Sequence, residues 1–297
     1  MDSQSGFLLE RSLVKRSFNQ AAETYDEVAV LQREVGQRLI ERLDYIRMKP
    51  QILVDLGCGT GEGIKLLKQR YSGAEVLGID MAHAMLKVSK KKWPRWSLAS
   101  KPKLVCADVE QLPLAEQSVD MIVSNLTFQW LNGIDMVLQE CRRILRPGGL
   151  LMFTTFGPDT LKEMRECWHQ LDPDGVHVNR FLDLHDIGDA LLANRFMDPV
   201  MDMEMFTLTY SDVRKMMQEL KALGAHNVNR GRSAGLTGKN RLQSLVSAYE
   251  KFRNAGRLPA TYEVIYGHAW IPEQASVLTN EGMRETRVPL TAIQKTS

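Results

Sequence analysis

A short apolar run that ends in a carboxylate and then in alternating glycines constrains this chain more than any other stretch of it. Ile52, Leu53 and Val54 read as a buried strand, and Asp55 and Leu56 lead out of it. Gly57-Cys58-Gly59-Thr60-Gly61-Glu62-Gly63 follows, before a helix expected to begin near Ile64. A strand, a tight turn and a helix in that order open a βαβ unit. The glycines let backbone approach a ligand closely. A dinucleotide fingerprint counted from Gly57 needs its third glycine at position 62, where Glu62 stands, so a pyrophosphate turn is disfavoured.

Apolar runs at residues 75–79, 103–106, 121–124 and 150–155 predict four more strands, separated by segments long enough for crossover helices. Periodicity predicts helices over 134–145, 159–171, 184–194, 212–223 and 241–254, and two further strands at 201–208 and 260–270. The first of these helices is expected to stop in a tight turn at Arg146-Pro147-Gly148-Gly149. Residues 8–45 read as helical, with Val28, Leu31, Val35, Leu39 and Leu43 at intervals of three or four. The expected fold class is therefore α/β, a doubly wound, mostly parallel, seven-stranded sheet. Its expected organisation is an N-terminal helical cap (1–48), a ligand-binding core (49–210), a basic helical lid insertion (211–257), a final core strand (258–272) and a polar, poorly periodic tail (273–297).

Charge is unevenly placed. The chain carries a net +2, yet residues 211–257 hold ten Lys/Arg against three Asp/Glu, which suits either a solvated face or an acidic partner. A second basic stretch, 87–103, interleaves Trp93 and Trp96 with Lys90, Lys91, Lys92 and Arg95. The near-neutral total and the absence of an RNA-binding motif argue against nucleic acid. No run approaches the roughly 20 apolar residues that cross a bilayer, so no membrane partner is expected and the cytoplasm is the default. Cys58, Cys106, Cys141 and Cys167 contain no C-x-x-C pair, which disfavours a zinc site or a disulfide framework.

Acidic residues close successive strands. The glycine spacing suits a ligand without pyrophosphate, such as S-adenosylmethionine, whose ammonium Asp55 could accept. Asp80, with Met81 beside it, ends the second strand nineteen residues after Gly61, where a carboxylate can take ribose hydroxyls. Asp108 and Val109 follow the third strand, where they could meet an adenine. After the fourth, Asn125 could face the methyl donor, and Gln129 and Trp130 the acceptor. Each carboxylate alone is equally readable as a cap or surface group; three at successive strand ends line one crevice.

The ordered set VDLGCGTG, GIDMA, CADVEQLPL, VDMIVSNLTFQW and LRPGGLLMFTTFG resembles the class I methyltransferases over residues 52–157. The opening Ser17-Phe18-Asn19-Gln20-Ala21-Ala22 with Tyr25, then Leu31-Gln32, His177-Val178-Asn179-Arg180-Phe181, Leu220-Lys221-Ala222-Leu223-Gly224-Ala225 and Leu258-Pro259-Ala260-Thr261-Tyr262 resemble, more narrowly, the malonyl-acyl-carrier-protein O-methyltransferases of biotin synthesis, over about residues 15–270. That resemblance implies methyl transfer from S-adenosylmethionine to the free carboxylate of a malonyl group on acyl carrier protein or coenzyme A, without a metal. It further implies donor contacts from Asp55, Gly57, Gly59, Gly61, Asp80, Met81, Asp108, Val109 and Asn125. Arg180 is the expected carboxylate clamp, with Tyr25 and Gln129 beside it and Asn179 and Trp130 near the acceptor; His177 and His226 have no proton to move. Arg214, Lys215, Lys221, Arg230, Arg232, Lys239 and Arg241 are the expected docking cations for the acidic carrier. Other readings are a different small acid or quinone precursor as acceptor, a donor-binding sensor without turnover, and a non-methylating assembly or hydroxylating factor. Oligomeric state is left open.

Overall fold

The computed structural model describes residues 7–93, 101–232 and 238–273. Arg95, Trp96 and the expected tail, apart from Glu273, lie outside the described residues. The N-terminal segment forms three helices: α1 (Arg11–Ala21), α2 (Tyr25–Val28) and α3 (Val30–Arg42). The sheet is then built from β1 (Ile52–Leu56), β2 (Glu75–Asp80), β3 (Lys103–Cys106), β4 (Val119–Ser124), β5 (Leu145–Phe156), β6 (Met197–Tyr210) and β7 (Leu258–Trp270). Between them lie α4 (Glu62–Arg70), α5 (His83–Lys91), α6 (Asp135–Ile144), α7 (Lys162–Leu171), α8 (Leu184–Ala193), α9 (Val213–Ala222) and α10 (Lys239–Tyr249).

Strand order is β3-β2-β1-β4-β5-β7-β6, parallel through β5, with β7 antiparallel to both neighbours. The order reverses between β1 and β4, and in open α/β sheets that switch point is where ligands bind. Period-two alternation sorts the strand residues onto two apolar layers. Leu53, Met121, Val123, Leu150 and Met152 face α3, α4, α7, α9 and α10. Val54, Leu56, Ile122, Leu151 and Phe153 face α6 and α8. Strands β1, β2, β4 and most of β5 are buried on both faces because helices cover both, which is why they read as near-continuous apolar runs, whereas edge strand β6 alternates half-buried and exposed residues.

One expectation is corrected. Arg146-Pro147-Gly148-Gly149 is not a free turn between helix and strand: β5 already pairs with β4 at Leu145, and the four residues form an irregular excursion before pairing resumes at Leu150 opposite Met121. Arg146 holds it with a hydrogen bond to Asp120 (2.6 Å), and Gly148 and Gly149 exchange backbone bonds with Ile271.

Residues 211–257 leave and rejoin the sheet at one place, because Tyr210 at the end of β6 pairs with Leu258 at the start of β7. Since β7 is antiparallel to β5 and to β6, β6 runs with β5, and the insertion stands on the carboxyl edge of the sheet. The N-terminal chain reaches it there. Leu9 bridges Asn229, the Glu10 amide donates to Val228, and the Arg230 amide donates to Leu8. The opposite side of that strap is held by Asn132, whose side chain bonds both the amide (2.6 Å) and carbonyl (3.1 Å) of Leu9.

Candidate active site

The turn after β1 is shaped by its glycines and packed by their neighbours. Gly57 and Gly61 adopt φ of 76° and 86°, a region other residues reach only with strain. A Cβ on Gly57 would lie 2.1 Å from Thr127 Oγ1, and one on Gly61 would lie 2.2 Å from Ser89 Oγ. Gly59 differs: nothing lies within 4 Å of where its Cβ would be, so the middle of the turn presents bare backbone to open space. Its amide donates to Asp80 Oδ2 (2.9 Å), while the Ala82 amide donates to Asp80 Oδ1 (2.7 Å). The end of β2 is thereby fixed to the turn after β1.

Asp55 is the electrostatic centre. It is buried, and its Oδ2 has no partner among the described residues. Burial pushes its carboxyl up to about 7, the Asp80 charge adds to the rise, and an Ile64 backbone hydrogen bond opposes it. Burial raises Asp80 as well, against the bonds from Ala82 and Gly59. On the adjoining β4 end, Gln129 donates to the Leu126 carbonyl (2.7 Å), but its Oε1, like Gln32 Oε1, is buried without a partner among the described residues. These three orphaned atoms are acceptors, while Ser89 Oγ, against Gly61, is a buried hydroxyl also without a partner among the described residues. A ligand that completes the site has to bring donors and positive charge.

The N-terminal cap closes over this edge by contacts the sequence did not announce. Asp26 in α2 accepts from the Thr60 hydroxyl in the glycine turn (2.6 Å) and pairs with Lys92 (2.6 Å). These bonds hold its carboxyl below the usual range in spite of burial. Asn19 accepts from the Ala84 amide (2.8 Å). Tyr25 packs on Ala82 and Met85; burial first, then the charge of Asp80, raises its phenol far above the ordinary value, so it stays a neutral hydrogen-bonding group. Asp26 is adjacent to Tyr25 in sequence, yet only the three-dimensional contact with Thr60 marks it.

Other expected residues are distributed as follows. Asp108 and Met81 line an open cavity of about 410 Å³ with Arg11, Lys15 and Glu110. Arg11 of α1 ion-pairs with both Asp108 and Glu110, so Asp108 meets a cation from the cap where an adenine amine was expected. Val109 is buried in the apolar layer. Asn125 braces the protein: its Nδ2 donates to the Gln32 carbonyl (2.9 Å) and its Oδ1 accepts from Thr154 (2.8 Å). Trp130 packs edge-on against Phe18 at 5.1 Å, among residues of the strap and cap.

Beyond β5, the segment after α7 that carries Arg180 is bonded to the lid. Asn227 donates to the Val176 carbonyl (2.5 Å) and Asn229 to Asn179 Oδ1 (2.8 Å). Phe181 meets Phe156, the last residue of β5, edge-on at 5.8 Å. The Arg180 side chain is exposed and makes no ion pair with another described residue. His177 is a packing group, stacked on Trp168 at 3.9 Å and 2.6 Å from Asp172. His226 Nε2 sits 2.9 Å from the Ser17 hydroxyl, joining lid to cap.

The basic lid divides in two, which corrects part of the docking expectation. Arg232 lies 3.6 Å from Glu10 and donates to the Asn229 carbonyl, while Arg241 pairs with Asp172; both act within the protein. Val213 and Met216 of α9 are buried, and Arg214, Lys215 and Lys221 are exposed, joined by Arg230 and Lys239. Among the described residues no group of three or more His, Cys, Asp or Glu could hold a metal, and no helix is long and apolar enough to cross a membrane.

Residues 54–153 match the family model described as methyltransferase domain. The malonyl-[acyl-carrier protein] O-methyltransferase of Laribacter hongkongensis is 52% identical over 271 residues, covering 90% of this chain and 91% of that protein. The protein of the same name from Methylovorus sp. is 49% identical, covering 93% and 94%. Among solved structures, the YcgJ protein of Bacillus subtilis aligns over 81% of this chain and 99% of its own with a TM-score of 0.56 at 15% identity, a likeness of fold.

Proposed function

This chain belongs to the malonyl-[acyl-carrier protein] O-methyltransferase family, and we propose that it methylates the free carboxylate of a malonyl thioester carried on acyl carrier protein, an early step of biotin synthesis, with S-adenosylmethionine as donor. The observation that carries the donor assignment is the buried, unpartnered Asp55 Oδ2 at the end of β1, next to the open backbone of Gly59. An ammonium and a sulfonium bring the donors and the charge that site lacks. Four unpaired cysteines and a soluble acidic carrier support a cytoplasmic setting.

When bound, S-adenosylmethionine supplies a methyl group on a sulfonium that departs as a neutral thioether. The protein's tasks are then alignment and exclusion of water. Asp55 would hold the donor's ammonium, Gly57, Gly59 and Gly61 its amino-acid end against the turn, and Asp80 its ribose, with Met81, Asp108 and Val109 near the adenine. A malonyl carboxylate is ionised near pH 7, so no general base is required. The planar fork of Arg180 suits bidentate grip of a carboxylate, and Tyr25, held neutral, offers a hydrogen bond without a competing charge. Such positioning converts a bimolecular step into an effectively intramolecular one. Arg214, Lys215, Lys221, Arg230 and Lys239 form the face on which an acidic carrier would dock; malonyl-coenzyme A offers the same acyl group without that surface.

The test is incubation of the purified protein with methyl-labelled S-adenosylmethionine and either malonyl-carrier or acetyl-carrier. Label on malonyl-carrier alone is the expected result. Equal labelling of both, or of neither, removes the free carboxylate as acceptor.

A further inference from the structure

An aromatic cluster stands where the sheet meets the Arg180 segment, and neither the donor site nor the clamp uses it. Phe156 ends β5 and packs edge-on against Phe181 (5.8 Å, 74°) and tilted against Tyr262 of β7 (5.7 Å, 41°). Phe156 and Phe181 are half-buried, while Tyr262 is buried. Tyr262 is held from behind by Tyr210, which itself donates to Glu219 of α9 (2.7 Å). Phe156 lies on the same face of β5 as Thr154, the residue that braces Asn125 at the end of β4. The cluster thus joins the carboxyl end of β5 to the segment that carries Arg180.

We propose that the Phe156–Phe181 pair, backed by Tyr262, is the specificity wall that fixes acyl length, admitting the one-methylene malonyl group and disfavouring longer dicarboxylic acyl chains. This rests on the reading of Arg180 as the carboxylate clamp.

A carrier docked on the outer face of the lid and a carboxylate gripped by Arg180 fix both ends of the acyl group. Each added methylene lengthens it by roughly 1.3 Å, and the excess must fold into space that two rings occupy. Misplacement of about 1 Å at a reacting centre costs on the order of 100-fold in rate, and a hydrophobic pocket distinguishes one methylene by about 10 to 200-fold. The two phenyl rings carry no polar atom to offer an acyl chain. Phe181 also anchors the segment, so it acts by shape and by position and takes no part in bond making.

The experiment measures kcat/KM of wild type, Phe181→Ala and Phe181→Leu with malonyl-, succinyl- and glutaryl-carrier, alongside S-adenosylmethionine binding as a check that each variant folds. The expected result is a glutaryl-to-malonyl ratio at least about tenfold higher in Phe181→Ala than in wild type, with Phe181→Leu between them. A purely structural role lowers all three rates in parallel and leaves the ratio unchanged, and that result overturns the wall while leaving the methyltransferase reading intact. Wild type that binds donor and esterifies none of the three carriers overturns both.

Discussion

The carboxylate of Asp26 accepts the Thr60 hydroxyl at 2.6 Å, so a helix of the N-terminal cap is tied to the glycine turn itself. The cap is in turn tied to the lid through Leu8, Glu10 and Ser17. Cover and donor turn form one continuous hydrogen-bonded unit, and the consequences are measurable.

Asp26→Ala loses a charge-assisted bond at the turn, worth about 1.5–3 kcal/mol when intact. The half-exposed Lys92 pair adds little. Titration calorimetry should show S-adenosylmethionine binding weakened by about tenfold or more. An unchanged Kd would mean that the cap does not hold the turn in its binding form.

The proposed contact of Asp55 with the donor's ammonium predicts pH-dependent donor binding. The Asp55 carboxyl, raised to about 7 in the donor-free protein, must be ionised to accept an ammonium. Binding therefore releases a proton, and affinity falls as pH drops below about 7, approaching tenfold per pH unit well under it. The fold itself responds in the opposite sense: because the folded value exceeds the unfolded 3.8, this group favours the donor-free fold at low pH, and that contribution is lost as pH rises from about 4 to 7. Kd values between pH 6 and 8 for wild type and Asp55→Asn decide the matter, with the variant expected to bind weakly and with little pH dependence.

The proposed clamp role of Arg180 predicts that its removal separates the two substrates. Arg180→Ala should lower kcat/KM for malonyl-carrier on the order of 100-fold, the usual cost of truncating one partner of a hydrogen-bonded charge pair. Donor affinity should stay within about twofold, because Arg180 makes no ion pair with the described residues around Asp55. Arg180→Lys keeps the charge but not the fork and should recover only part of the loss. A variant as active as wild type would place the clamp elsewhere.

The proposed docking of the carrier on the outer face of α9 predicts an effect on encounter. Charge reversal of Arg214, Lys215 and Lys221 together should raise KM for malonyl-carrier several-fold and flatten its salt dependence, with kcat and turnover of malonyl-coenzyme A little changed. Equal effects on both acyl donors would show that this face does not contact the carrier.

What could be read from the sequence was what is local. The course from Ile52 through the glycine turn into α4 is contiguous, and its backbone needs are written in Gly57 and Gly61. Asp80 was legible because a strand ends at it. Apolar runs located the parallel strands, since apolar layers on both faces of the sheet impose them, and the two further expected strands fall within β6 and β7. The contacts that close the site span long separations and leave no period: Asp26 to Thr60, Arg11 to Asp108, and Asn229 to Asn179. Local chemistry also misled. Pro147 and the two glycines after it signal a break, but tertiary pairing of β5 with β4 and β7 absorbed them into the strand. Arg241 was one of several lid cations in sequence, and only folding brought it to Asp172.

The most direct measurement is to locate the transferred methyl group. After a single turnover with labelled S-adenosylmethionine, the acyl chain is cleaved from the carrier at the thioester and analysed by fragmentation mass spectrometry, with a parallel sample treated with mild base. The account predicts label on the carboxylate distal to the thioester, lost as methanol in base, and little label with Arg180→Ala. Label on the carrier polypeptide, or on the acyl chain in a base-stable form, would contradict it.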